Sequence, residues 1–409
     1  MKGNAIVGQS GGPTSVINAS LAGIVQAARD AADITAVYGM RWGIEGFMAG
    51  NVVDLSAEPD VAIDALRRTP SSILGSSRHK VTDADLPAIL EQLKAFNVRT
   101  LFMIGGNDTM DTIHRVTAYA AAQGYDLCGI GVPKTVDNDL YGTDHTPGYG
   151  SAARYVALSA QQAGRLARDM QKVDQFVIYQ SIGRDAGWLT AAAALARRDE
   201  GDPPHLVYLP ERVFDPDRFL ADVREAHRRY GFVSIACGEG LKYADGTPVS
   251  ASRTTDKFAN VEYGAMGGSS VGLNLHRMIA DAFNWRGEFQ ITESLCMCSI
   301  DRATPVDQDE AFLCGRAAVE LASAGATGVM VTLVRTSNAP YACTTGTAPL
   351  KDVAVRAKPM PDDYINDAGN YPTAAFLDYV RPLVGELPAY ASLLYTPVTR
   401  LTPPGRILP

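Results

Sequence analysis

Short apolar runs alternate with stretches whose apolar residues recur every three or four positions, and the rhythm repeats along the chain. Ala5-Ile6-Val7 reads as a buried strand, and Val16, Ile17, Leu21, Ile24, Val25 and Ala28 then mark one face of a helix. Leu101-Phe102-Met103-Ile104 is a second continuous apolar run, followed by helical spacing through Met110, Ile113, Val116 and Ala118. Ile130 and Val132 lead into a third strand end. Residues 176–179 and 232–236 read as further strands, with an alanine-rich helix over 189–197 between them. A last strand over 328–333 follows a helical pattern across 311–324. This alternation predicts α/β layers. Polar, proline-bearing stretches at 200–204 and 339–347 read as surface connections, and no internal repeat or low-complexity segment is visible.

The 409 residues give ample length for two domains. A hydrophobic content of 46% with 20% charged residues describes an ordinary globular chain. The net charge of −8, with no Lys/Arg cluster, argues against a nucleic-acid surface. No apolar run approaches the roughly 20 residues that span a bilayer. The six cysteines lack C-x-x-C spacing, so free thiols in a reducing cytoplasm are expected. Cys296 and Cys298, read as part of a strand, share one face and suit packing better than metal binding. The histidines form no metal-ligand pair at helical spacing.

Chemistry concentrates where the predicted strands end. Pro133-Lys134-Thr135-Val136-Asp137-Asn138-Asp139 sets a lysine three residues before one carboxylate, with a second two further on. That combination suits phosphoryl transfer: the lysine holds a phosphate, one aspartate accepts a hydroxyl proton, and the other helps place a metal. After the first strand comes Gly8-Gln9-Ser10-Gly11-Gly12-Pro13-Thr14-Ser15, and after the second Gly105-Gly106-Asn107-Asp108-Thr109. A glycine-rich turn between strand and helix aims backbone N–H groups at an anion. Neither loop is a Walker A sequence or a dinucleotide fingerprint. Three such loops at strand ends point to one phosphate site in the crevice beyond the sheet.

In order and spacing these loops resemble the phosphofructokinase family over nearly the whole chain. Gly11-Gly12, Leu74-Gly75-Ser76-Ser77-Arg78, Gly105 to Thr109, Thr135 to Asp139 and Ile182-Gly183-Arg184 match its motifs, and Glu239 matches a later glutamate. The resemblance implies two Rossmann-like three-layer α/β domains with the active site in the cleft between them. A donor domain would span residues 1–148 and about 298–350, an acceptor domain about 149–297, and a C-terminal extension about 351–409. The stretch from Ala357 to Leu383 resembles the longer, pyrophosphate-using branch. ATP-using members usually have glycine at the positions of Asp108 and Lys134. A carboxylate at 108 would crowd and repel an α-phosphate, while the lysine fills that space and binds a smaller donor, diphosphate.

The same resemblance implies in-line transfer from Mg²⁺-diphosphate to an acceptor hydroxyl. Asp137 would be the base, with Arg78 and Arg184 stabilising charge on the transferred group. Gly11, Gly12, Gly106, Asp108 and Lys134 would hold the donor. Asp108, Asp139 and Asn107 would place the magnesium, Asn107 replacing the family's commoner aspartate. Thr135, Asp137, Ile182, Gly183, Arg184 and Glu239 would meet the acceptor. A reversible reaction and a homodimer or homotetramer, with acceptor residues crossing its interface, are implied as well. Neither a membrane nor a nucleic-acid partner is expected.

The acceptor's phosphate grip departs from the family. Family members hold the 6-phosphate of fructose 6-phosphate with arginines and a histidine or tyrosine. Here those positions fall on Gln290, Cys296 and Ser299 when the segment is anchored on Asp307, and on Ile291, Met297 and Ile300 when anchored on Leu295. A further arginine position falls on Gln175. Losing two charge-assisted contacts costs about 3–6 kcal/mol, on the order of 10² to 10⁴ in affinity. The expected acceptor is therefore a sugar, polyol or nucleoside-like hydroxyl compound without that phosphate. Two alternatives stand beside it: fructose 6-phosphate or a related sugar phosphate held by substituted residues, and a non-catalytic regulatory subunit.

Overall fold

The computed structural model describes residues 2–250, 269–391, 393 and 395–398. From 399 onward the expected C-terminal extension lies outside the described residues. Eleven strands are described: β1 (Gly3–Gln9), β2 (Ile34–Met40), β3 (Val52–Asp54), β4 (Val98–Gly105), β5 (Cys128–Pro133), β6 (Phe176–Ser181), β7 (Leu206–Tyr208), β8 (Val233–Gly238), β9 (Gly287–Ile291), β10 (Val329–Asn338) and β11 (Tyr341–Pro349). They form a seven-stranded sheet of order β11-β10-β5-β4-β1-β2-β3 and a four-stranded sheet of order β7-β8-β6-β9. The chain leaves the first sheet after β5, builds the second, and returns with β10, which pairs parallel to β5.

The central strands are parallel, and their apolar runs are continuous because helices cover both faces. Leu101, Phe102, Met103 and Ile104 of β4 are all buried, each contributing about 1.5–3 kcal/mol of transfer free energy. The helix Ile17–Asp30 turns Ile17, Leu21, Ile24, Val25 and Ala28 inward, the face its spacing predicts. Its contacts with the helix Pro305–Ser323 build one side of the first core. That second helix is capped by Thr304, whose hydroxyl accepts from the Asp307 N–H at 3.2 Å. The Asp307 carboxylate in turn accepts from Gly148 N–H at 2.8 Å and Ser151 N–H at 2.9 Å. It thereby satisfies donors at the start of the helix Tyr149–Met170.

Three stretches differ from the pattern reading. The alanine-rich segment is a helix only over Trp188–Ala192 and tightens to 3₁₀ over Ala193–Ala196. Ala191 to Ala194 are buried, so no amphipathic spacing sustains a longer helix. Cys296 and Cys298 are not on a strand: Glu293–Met297 is a 3₁₀ helix. Two residues apart in such a turn point to different sides, and Cys296 is buried while Cys298 is only half-buried. The stretch 339–347 is mostly strand β11, antiparallel to β10. Its threonines at 344, 345 and 347 suit the pleat of an edge strand, and Pro340 sits at the hairpin turn.

Candidate active site

Strands β5, β4 and β1 are neighbours, so their carboxyl ends set the loops after Pro133, Gly105 and Gln9 side by side. The second sheet presents the ends of β6, β8 and β9 in the same way. Two adjoining cavities occupy the cleft, one of about 400 Å³ and one of about 540 Å³. Gly12, Arg78, Lys134, Thr135, Asp137, Asp139 and Arg184 line both, forming a common rim. Gly11, Gly106, Asn107 and Asp108, expected from the sequence to hold the donor, line the smaller cavity alone, which makes it the expected donor side.

Hydrogen bonds bring the donor loops together. Gly11 takes φ +77°, a backbone state that glycine adopts freely. Its N–H donates to the Ser77 carbonyl at 3.2 Å, and the Ser76 hydroxyl donates to its carbonyl at 2.6 Å. The segment carrying Arg78 is thus stitched to the glycine loop. Gln9 supports it from below, accepting from the Leu74 N–H at 3.0 Å and donating to Asn18 at 2.8 Å. Lys134 is buried, and its ammonium donates to the Gly12 carbonyl at 2.6 Å. Burial pulls Lys134 down to about 8, against the charge of Asp137. At the open mouth Asp108 lies 3.5 Å from the Lys80 ammonium.

The loop after β5 makes the reactive edge. Asn138 takes φ +59° and is buried, so the carboxylates on either side of it turn toward the cleft. Burial pushes Asp137 up to about 7, helped by the negative charges of Asp139 and Glu239 and opposed by Lys134 and Arg184. A carboxylate poised there is matched to proton transfer near neutrality. Burial also raises Asp139, while its own backbone N–H and Lys358 pull it back. Lys358 is itself drawn down to about 7 by burial.

On the acceptor side, Ile182, Gly183, Arg184 and Glu239 line the larger cavity with Thr135 and Asp137. Glu239 accepts from the Gly183 N–H at 3.3 Å and lies 4.0 Å from the Arg184 Nε. The other four candidates, Gln175, Gln290, Cys296 and Ser299, do not line this cavity within one chain. Gln175 precedes β6 and accepts from the Arg286 N–H at 3.1 Å. It sits at the amino end of a strand whose carboxyl end faces the cleft, roughly 20 Å away at about 3.3 Å per residue. Gln290, on β9, donates to Glu288 at 3.3 Å. Cys296 is turned into the core, and the Ser299 hydroxyl donates to Asp301 at 2.6 Å.

Glu293, Ser294 and Met297 occupy the wall instead. Met297 packs so tightly on the glycine loop that a Cβ at Gly12 would meet its methyl at 2.4 Å. Met297 is the position that anchoring on Leu295 assigns to the phosphate grip, whereas Glu293 and Ser294 carry no signal in a segment expected to be a strand. Sequence reading also missed His79 and Lys80 on the donor side, although Arg78-His79-Lys80 is a basic run at the end of a matched motif.

Magnesium fits the donor side on one observation. The Asn107 side-chain oxygen is buried there without a hydrogen-bond partner. With Asp108 and Asp139 it offers three oxygens for an ion that also keeps substrate phosphates and waters as ligands. Among the described residues, no cluster of three His, Cys, Asp or Glu side chains forms a self-sufficient metal site.

The phosphofructokinase family model matches residues 4–321. The chain is 39% identical to a pyrophosphate–fructose 6-phosphate 1-phosphotransferase of Halomonas elongata, over 93% of this chain and 91% of that one. It is 33% identical to a sulfofructose kinase of Alkalicoccus urumqiensis, covering 89% and 92%. The solved pyrophosphate-dependent phosphofructokinase of Marinobacter aquaeolei superposes with a TM-score of 0.84 at 35% identity, covering 96% and 94%.

Proposed function

The chain belongs to the phosphofructokinase family, and from that premise we propose that the cleft moves a phosphoryl group from magnesium diphosphate to a hydroxyl of a sugar-like acceptor. The acceptor oxygen attacks the terminal phosphorus, the bridging P–O bond breaks, and orthophosphate departs. Asp137 takes the hydroxyl proton. Arg78 and Arg184, shared by both cavities, face the group in transit and offset its charge. Lys134 holds the donor from within the glycine loop. Asn107, Asp108 and Asp139 would hold a magnesium ion, which would offset the charge of diphosphate. Positioning and electrostatics carry most of such a reaction. A homo-oligomer is part of this reading.

For the acceptor, the charge of the larger cavity supports an unphosphorylated molecule. Asp137, Asp139, Asp185, Glu239 and Glu293 line it. Among the described residues its cations are Arg78, Lys134 and Arg184, all of which also line the donor cavity. No described cation is reserved for an anionic group on the acceptor. The proposed acceptor therefore lacks the 6-phosphate and is recognised through its hydroxyls by the carboxylates. A second reading, fructose 6-phosphate, is favoured by the activity named for the Halomonas relative.

Purified protein with Mg²⁺ and diphosphate, screened against sugars, polyols, nucleosides and fructose 6-phosphate with ATP as a parallel donor, tests both parts. Diphosphate-dependent turnover of an unphosphorylated acceptor is expected. A submillimolar KM for fructose 6-phosphate with rapid turnover overturns the acceptor assignment. Turnover with ATP and none with diphosphate overturns the donor assignment.

A further inference from the structure

The loop that carries Asp137 and Asp139 is braced from behind by a segment that arrives more than 200 residues later. Ala357 forms an isolated antiparallel bridge with Leu140, and the Lys358 N–H donates to the Asp139 carbonyl at 2.6 Å. The Lys358 ammonium then turns inward along the loop. It donates to the Asp144 carbonyl at 2.7 Å, to the Thr143 carbonyl at 3.3 Å and to the Asn138 side-chain oxygen at 3.3 Å. It also lies 4.8 Å from the centre of the Trp188 ring. Trp188 opens the helix that follows the loop bearing Arg184.

Asn138 is the hub of this arrangement. Its amide nitrogen donates to the Tyr379 hydroxyl at 2.8 Å, and its oxygen accepts from the Thr146 N–H at 3.0 Å as well as from Lys358. The Tyr379 hydroxyl donates in turn to the Asp144 carbonyl at 2.9 Å. Every polar atom of the Asn138 side chain that faces inward is thus engaged by one of two residues from the C-terminal region or by the loop itself. With Asn138 held inward at positive φ, the residues before and after it have little freedom to turn from the cleft.

We propose that Lys358 is a positioning residue that fixes the base and its neighbouring carboxylate against the bound donor and acceptor. The proposal rests on the phosphoryl-transfer reading for its chemistry. Its geometry stands independently of the acceptor's identity. An ammonium that bonds two backbone carbonyls and a side-chain amide at one turn locks that turn more firmly than a packed apolar residue does. A displacement of about 1 Å at a reacting group costs on the order of 10²-fold in rate. Lys358 touches neither cavity, so its loss leaves the donor's own contacts in place.

Lys358→Met, assayed with diphosphate and whichever acceptor the wild type uses, is expected to lose about 10²-fold in kcat per folded molecule. Its KM for diphosphate should stay within about threefold. Ethylammonium added to Lys358→Ala should restore part of that kcat, which a purely structural loss would not allow. Tyr379→Phe keeps the ring and removes only the bridging hydroxyl, so it should show a smaller kcat loss of the same kind if Lys358→Met does not fold. Hydrogen exchange reads the brace without turnover: the Thr146 amide should exchange about tenfold faster in either variant. Wild-type kcat with wild-type protection at Thr146 overturns the proposal. A wild-type protein inert toward diphosphate removes the phosphoryl-transfer reading alone, and the exchange rates still decide the brace.

Discussion

The donor and acceptor halves of the cleft are built on opposite plans. The donor half is built mainly from loops that follow β1, β4 and β5, neighbours in one sheet, with the segment carrying Arg78 stitched to them and Lys134 bonded to a glycine carbonyl. The acceptor half adds to the shared rim a wall from the ends of β6 and β8 and a 3₁₀ turn, Glu293–Met297, with three further carboxylates, Asp185, Glu239 and Glu293. The smaller cavity sets Lys134 and the glycine loops around the proposed diphosphate, whereas the larger one presents carboxylates and Met297 to the proposed acceptor. The comparison puts weight on the shared rim, where the proposed base and both arginines lie.

Removing the base is the most severe way to break that arrangement. Asp137→Asn should lower kcat by about 10³- to 10⁴-fold while diphosphate binding, measured by calorimetry, changes little. Unchanged kcat would move the base elsewhere. Lys134→Met removes a rim cation whose proposed partner is the donor. A charge-assisted contact of about 1.5–3 kcal/mol predicts a 10- to 150-fold rise in the diphosphate KM, with the acceptor KM nearly constant. Equal effects on both would show that the halves are not separable.

The pH profile probes the buried groups at once and gives the mildest effect. Asp137 must be ionised to accept a proton, so kcat/KM should fall tenfold per unit below about 7. Lys358 must keep its proton to brace the loop and Lys134 its own to hold the donor, so the rate should fall again as these titrate, from about 7 and about 8 respectively. A flat profile between 6 and 9 would mean that none of these groups titrates as the buried cleft implies.

The two halves also differ in how far they can be read from the chain. Donor residues lie in contiguous motifs at the ends of apolar runs, so Gly11, Gly12, Asn107, Asp108, Lys134 and Asp137 are legible from spacing and residue type. The acceptor wall at 293–297 carries no strand or helix period, and a turn with Glu293 at φ +40° leaves no pattern to read. Gln175 lies away from both cavities because counting back from Ile182 crosses a whole strand to its far end. Alternation likewise gave the central strands, where burial on both faces makes the sequence continuous. It failed at β11, whose threonines and proline look like a loop until an antiparallel partner supplies the hydrogen bonds. Lys358 was invisible because its partners are main-chain carbonyls, which no side-chain pattern reports.

The common rim has a consequence for redesign. Because Arg78, Lys134 and Arg184 line both cavities, substitutions confined to the turn around Glu293, Ser294 and Met297 would reshape the larger cavity and leave the lining of the smaller one intact.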